Sequence, residues 1–286
     1  MTFKSNHMAM KIKYKYNHIR TVLLSSLLLV SFFIINGCET DETQVVATLN
    51  NLVLEDNFDV NGAPDPNLWT AEIGTGMNGW GNNELQYYTD RPENVIVQNG
   101  FLLITAREEA FNGSNYTSAR LMTKGKFEQQ YGRFEARIRL PFGQGIWPAF
   151  WMLGDDNMGT EIWPNIGEID IMEYRGQEPT IVHGSVHGPG YSGANPVTKS
   201  YDLLDDRLDT GFHIYGVEWG PQYINFYVDG VLYNQITPKD VPGEWVFDRP
   251  FYMILNLAVG GSFVGSPDNN TRFPQTMLVD YVRVYN

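Results

Sequence analysis

Three carboxylates fall within six residues of otherwise apolar, strand-forming sequence in the run Gly167-Glu168-Ile169-Asp170-Ile171-Met172-Glu173-Tyr174. Successive side chains of a strand point to opposite faces, so Glu168 and Asp170 share a face, while Glu173 would point the other way. One extra residue corrects that. A β-bulge at Ile171-Met172 sets two residues opposite one and returns Glu173 to the side of the other two. Ile169, Ile171, Met172 and Tyr174 argue that the strand is covered on its other face, which weighs against a merely solvated acidic edge. Crowded, buried acids mark functional sites more often than not.

Two carboxyls on one face, roughly 5 to 5.5 Å apart, can break a glycosidic bond with retention of configuration. One attacks and the other donates a proton. The attacking group must be ionised and the donor protonated near neutral pH, which like-charge crowding and partial desolvation arrange. Asp170, between the two, is placed to hydrogen-bond the attacking group and to hold the two pKa values apart.

The elements that must position these acids read as strands. Arg133 to Leu140 alternates charged with apolar residues, predicting one wet and one dry face. Tyr223 to Val228 and Val231 to Ile236 flank Asp229-Gly230, a strong hairpin signal. Asp202 to Leu208 is expected to form a brief turn of helix, but nothing alternates strand with helix as a doubly wound sheet would. No internal repeat, low-complexity segment or second domain is visible, and 286 residues suit one large all-β domain after processing. Aromatic residues make up 14% of the chain, in keeping with a cleft that stacks rings on sugar faces.

Residues 1–37 read as a lipoprotein signal: Lys4, Lys11, Lys13, Lys15 and Arg20 form a basic region, followed by the apolar stretch Val22 to Ile35. That stretch is shorter than the ~20 residues a spanning helix needs. Cys38, the only cysteine, follows Gly37 at its end, a position that resembles the lipidated cysteine of a bacterial lipobox. Residues 38–51 form an acidic and polar tether, and the acids after Cys38 resemble a surface-export signal of bacterial lipoproteins. The expected location is therefore the outer membrane or cell surface, with the membrane met through the N-terminal lipid alone. Removing the signal takes 5 of 20 basic residues and none of 33 acidic ones, so the net charge falls from −13 to −18. Such a surface repels nucleic acid and sulfated polysaccharides and favours a neutral glucan.

Several longer stretches carry a family resemblance. YGRFEARIRLPFGQGIWPAFWMLG from Tyr131, IWPNIGEIDIMEY, HGSVHGPGYSG, GWGNNELQYYTDR and the closing DYVRVY resemble glycoside hydrolase family 16, and within it the bacterial laminarinases, over residues 52–286. The spacing Glu-x-Asp-x-x-Glu is the bulged form of the motif; the mixed-linkage lichenases have Glu-x-Asp-x-Glu. The resemblance implies a jelly-roll β-sandwich of the concanavalin A-like type, with an open cleft on the concave sheet. It implies an endo-acting retaining β-glucanase that cuts β-1,3 or mixed β-1,3/1,4 linkages as a monomer, without a catalytic cofactor. Agarases, porphyranases and carrageenases share the bulged motif and are the same-class alternative. A non-catalytic β-glucan-binding protein is the other, and the presence of all three acids weighs against it.

On this resemblance Glu168 is the nucleophile, Glu173 the acid/base and Asp170 the residue that orients the nucleophile. Trp147, Trp151 and Trp163 are implied sugar-stacking platforms. Asn83, Arg120 and Asn256 are implied contacts to sugar hydroxyls, and His187 is implied to lie near the acid/base. Phe263 stands where many relatives have tryptophan, which puts a stacking role there in doubt. A structural calcium ion would take oxygens from Asn57, Gly100 and Asp280, the hard donors that ion prefers. Other motif matches carry nothing: Gly74-x-Gly-x-x-Gly79 precedes no helix, the Asn112 and Asn115 sequons mean little in a bacterial chain, and the His183/His187 spacing sits among glycines and proline.

Overall fold

The computed structural model describes residues 48–155, 159, 161–204 and 206–286. The chain divides into two units, Met1–Val45 and Val46–Asn286, and the described residues all belong to the second. The expected signal, Cys38 and most of the tether lie outside the described residues.

Among the described residues seventeen strands, numbered in chain order, make two sheets. The larger runs β15 (Val231–Ile236), β14 (Tyr223–Val228), β13 (His213–Gly220), β8 (Gly132–Arg139), β17 (Gln275–Tyr285), β5 (Phe101–Phe111), β6 (Ser114–Ser118) and β3 (Gln86–Tyr88). On it, β1 (Leu52–Asp56) pairs with β17 and β4 (Val95–Gln98) with β5. The seven-stranded sheet runs β12 (Val197–Asp202), β11 (Ile181–His187), β10 (Glu168–Tyr174), β9 (Ile146–Gly154), β16 (Phe251–Val259), β7 (Arg120–Met122) and β2 (Thr70–Ala71). Inward-facing residues of both sheets form one core, among them Phe134, Val217 and Phe226 from one side and Phe150, Ile169 and Leu255 from the other. This is the expected all-β sandwich. Among the described residues no helix is long and apolar enough to cross a membrane.

Local sequence explains the elements nearest the cleft. β16 is buried at every position, as its nearly unbroken apolar run FYMILNLAV requires. The Asp229-Gly230 turn has the two positive φ angles, 50° and 80°, of a tight hairpin, and the Asp229 carboxylate fixes it by accepting from Ile214 N (2.8 Å) and His213 Nδ1 (2.6 Å). The segment 79–83 is a tightly wound loop, with no helix after it. Gly79 is obligatory there, because at its φ of 60° a Cβ would come within 2.5 Å of the Glu84 backbone.

Two local expectations are corrected. Glu135 on β8 is buried rather than wet, because Arg133 Nε (3.0 Å) and the hydroxyls of Tyr227 and Tyr285 (both 3.3 Å) donate to it. Those partners remove the cost of burying its charge. The expected helical turn at Asp202 to Leu208 is absent from the described residues: β12 continues through Asp202 and turns follow. Residues 48–51, the end of the expected tether, are hydrogen-bonded to the strands. Thr48 Oγ1 (2.6 Å) and Leu49 N (3.2 Å) donate to the buried Glu218 carboxylate, and Asn51 pairs with Asn286 through both backbone groups.

Candidate active site

β10 carries the bulge. Against β9, Asp170 pairs with Trp151 and Met172 with Phe150, so two steps along β10 match one along β9 and Ile171 is the extra residue. Against β11, Asp170 pairs with Ser185 and Glu173 with His183, the same one-residue excess. Ile171 and Met172 both enter the core. The neighbouring strands extend three rows across the outer face of the sheet. Glu168 aligns with Leu153 and Tyr252, Asp170 with Trp151 and Ile254, and Glu173 with Ala149, Asn256 and Arg120.

The acids differ in what surrounds them. Interacting atoms of Glu168, Asp170 and His187 lie within 4.8 Å of one another, with His187 Nε2 at 3.1 Å from Asp170 Oδ2 and 3.8 Å from Glu168 Oε1. Asp170 is only 3% exposed, and burial, followed by the charge of Glu168 and a hydrogen bond to it, pushes its carboxyl well above the usual range. These effects favour the protonated form of Asp170. Glu173 is also pushed well up, first by burial and then by the charges of Asp170 and Glu168, while His187 and the Trp147 indole pull it back. A carboxyl with a raised pKa beside a second, more exposed carboxyl is the arrangement of a general acid beside a nucleophile.

Each of the three implied platforms presents an indole N–H to this floor. Trp163 Nε1 donates to Glu168 Oε2 at 2.7 Å, Trp147 Nε1 to Glu173 Oε1 at 3.2 Å and Trp151 Nε1 to Asn256 Oδ1 at 2.7 Å. Their rings are not equally open. Trp163 is 42% exposed, whereas Trp147 is buried beneath Phe263, with ring centroids 5.1 Å apart. Trp147 thus offers the site its N–H edge rather than a face.

The polar candidates also separate. The Arg120 guanidinium lies between the rings of Trp80 (4.6 Å) and Trp151 (4.8 Å) and pairs with Glu72. Asn83 is exposed on its loop and donates to Ser262 Oγ at 3.1 Å. Asn256 is buried with both ends of its amide engaged, by Trp151 and by Tyr88 Oη (3.1 Å). Phe263 carries Arg175 over its ring at 4.2 Å, so that face is closed to sugar. His183 bonds Ser200 Oγ through Nδ1 (2.9 Å) and meets Phe263 edge-on, whereas His187 faces Asp170 and Glu168. Sequence reasoning missed Trp80, Glu84, Tyr88 and Arg175; only the quoted GWGNNELQYYTDR stretch held a signal for the first three.

The implied calcium ligands lie near one another along β17 by register. β1 ends at Asp56 opposite Val282, β5 pairs with β17 only as far as Val279, and Asp280 is the extra residue of a bulge against β8. Asn57 and Gly100 therefore flank the gap along β17 that Asp280 occupies. The donor set suits a hard cation. The Asp280 carboxylate is paired with Arg137, and Asn57 Oδ1 accepts from Arg283 at 3.4 Å, so an ion would rest mainly on main-chain carbonyls and share Asp280.

Comparison with known proteins agrees with this geometry. Residues 82–283 match the glycosyl hydrolases family 16. The chain is 46% identical to a β-glucanase of Rhodothermus marinus over 243 residues, covering 82% of this chain and 84% of that one. It is 40% identical to a glucan endo-1,3-β-glucosidase of Cryptopygus antarcticus, covering 80% and 89%. The laminarinase catalytic domain of Thermotoga maritima superposes with a TM-score of 0.78 at 48% identity, covering 82% of this chain and 98% of that one. With its two facing sheets, bulged acidic strand and these relatives, the chain belongs to the family 16 glycosyl hydrolases.

Proposed function

We propose that the protein is an endo-acting retaining β-glucanase that hydrolyses internal β-1,3 linkages of laminarin-type glucans, with mixed β-1,3/1,4 chains as further substrates. The observation that carries the reading is the one-residue excess in β10, which returns Glu173 to the face of Glu168. Glu168 attacks the anomeric carbon while Glu173 gives its proton to the departing glycosidic oxygen, leaving a glycosyl ester on Glu168. Glu173, now ionised, takes a proton from water, and the resulting hydroxide equivalent displaces Glu168 at the anomeric carbon. Asp170 steadies Glu168 by donating its proton to that carboxylate when Glu168 is a leaving group. The open, exposed Trp163 and the Arg120 guanidinium supply a sugar platform and hydroxyl contacts on either side.

The basic and apolar N-terminus with its terminal Cys38 supports anchorage as a lipoprotein of the outer membrane or cell surface. The nearness of Asn57, Gly100 and Asp280 in strand register supports a structural calcium ion remote from the chemistry. No step of catalysis passes through it.

The purified domain is expected to release reducing ends from laminarin and, more slowly, from lichenan; release from agarose or carrageenan alone would contradict the substrate. Because Glu173 must be protonated to act, its raised pKa keeps the acid competent at neutral pH, and activity is lost as pH rises through that pKa. Trp147→Phe removes the N–H that favours the ionised form, so the alkaline limb of kcat/KM should move up by about one pH unit. A limb that stays or falls would refute this part of the site. Cys38→Ser is expected to abolish acyl labelling, and chelation by EDTA to lower Tm without changing kcat of the fraction still folded; unchanged labelling or an unchanged Tm would remove the lipid or the ion.

A further inference from the structure

The side of the cleft next to Arg120 contains a hydrogen-bond chain that the mechanism above does not use. Trp151 Nε1 donates to Asn256 Oδ1 at 2.7 Å, Asn256 Nδ2 donates to Tyr88 Oη at 3.1 Å, and Tyr88 Oη donates to Glu84 Oε2 at 3.2 Å. Only one direction is allowed. An indole N–H cannot accept, so the amide oxygen of Asn256 faces Trp151 and its nitrogen faces Tyr88; the tyrosine hydroxyl, having accepted, has one proton left, and it goes to Glu84. A one-way series of donors needs an acceptor at its end, and Glu84 is that acceptor.

Glu84 is held as a terminus should be. Gln86 Nε2 (2.7 Å) and Asn82 Nδ2 (3.2 Å) also donate to it, and the Gln86 side-chain oxygen accepts from Val259 N at 2.7 Å, tying the assembly to β16. Burial raises the Glu84 carboxyl, while these donors and the nearby Arg120 oppose the rise. The assembly leads to the sugar-binding face by two routes. One runs through Tyr88 and Asn256 to Trp151, which stands beside Asp170 in register. The other runs through Asn82 to the 79–83 loop, which is fastened to Ser262 by the Asn82 carbonyl and by Asn83.

We propose that Glu84 is a positioning residue of the reaction: it orients the Trp151 indole through Tyr88 and Asn256, and it holds the Asn83 loop through Asn82. Asn256 then serves to aim Trp151 rather than to touch sugar, which accounts for its burial. Trp151 needs aiming because one of its faces already covers Arg120, and a ring turned over about its χ2 bond would lose the amide contact and shift the guanidinium with it. The inference rests on the glucanase reading for its substrate.

Tyr88→Phe deletes the middle link and keeps the buried ring. On laminarin its kcat is expected to fall about tenfold with KM within about twofold, the size of losing one well-placed hydrogen bond that matters mainly in the transition state. In a Trp151→Phe background, which lacks the terminal N–H, the same substitution should add little, because the two act as one unit. Glu84→Gln, whose amide oxygen can still end the chain, should retain most of kcat, and Glu84→Leu should lose it. In nitrogen-edited NMR the Trp151 indole N–H resonance should move in Tyr88→Phe. A wild-type kcat in Tyr88→Phe, losses that simply add in the double variant, or an unmoved Trp151 resonance would each overturn the proposal. A wild-type protein inactive on every β-glucan would defeat the glucanase reading instead, and the resonance would still test the chain.

Discussion

The extra residue in β10 sets the chemistry of the cleft, because strand geometry alone would aim Glu173 into the core and leave Glu168 with no proton donor. The bulge exchanges which side chains are buried as much as which are exposed. Ile171 and Met172 both pack inward, so the strand gains core contacts while Glu173 comes out beside Asp170. The opposite strand accommodates this with a glycine. Gly184 lies across from the bulge, and a Cβ there would sit 2.3 Å from the Tyr233 hydroxyl and 2.7 Å from the Phe226 ring. β11 therefore lies flush on the other sheet where the bulge faces it, and the catalytic row cannot slip without disturbing the core beneath.

Placing three acids on a partly dry floor is costly unless their states are divided. Burial and neighbouring carboxylate charge push Asp170 and Glu173 toward their protonated forms. Each outer acid also receives an indole N–H of its own, from Trp163 on Glu168 and from Trp147 on Glu173. Hydrogen bonds to ionised groups are worth about 1.5 to 3 kcal/mol, so the Trp147 N–H offsets part of the upward push on Glu173. Tryptophans that the sequence presents as flat apolar platforms thus also act through their single polar atom, and this dual use explains why so many line one face.

Much of this was legible before any coordinates. The odd spacing of Glu168 and Glu173 called for a bulge, and the registers with β9 and β11 contain it. Asp229-Gly230 announced its hairpin because the turn's requirement is local. What stayed hidden depends on partners distant in sequence. Glu135 is buried because Tyr227 and Tyr285 reach it from 92 and 150 residues away. Asn256 could be placed in the cleft by resemblance, but its loss of free hydrogen-bonding groups follows from Tyr88, 168 residues distant. Trp147 reads as an open platform until Phe263 is folded over it. Periodicity and turn chemistry reveal which face a residue takes; they do not reveal what else arrives there.

The account turns on Glu168 being the group that bonds to sugar, with Glu173 delivered by the bulge to protonate the leaving oxygen. Trapping tests that assignment directly. A 2-deoxy-2-fluoro laminaribioside with a good leaving group should accumulate as a covalent ester, and mapping of the labelled peptide should place one sugar on Glu168. Label on Glu173 or Asp170, or turnover of the reagent with no ester formed and inverted product, would contradict it.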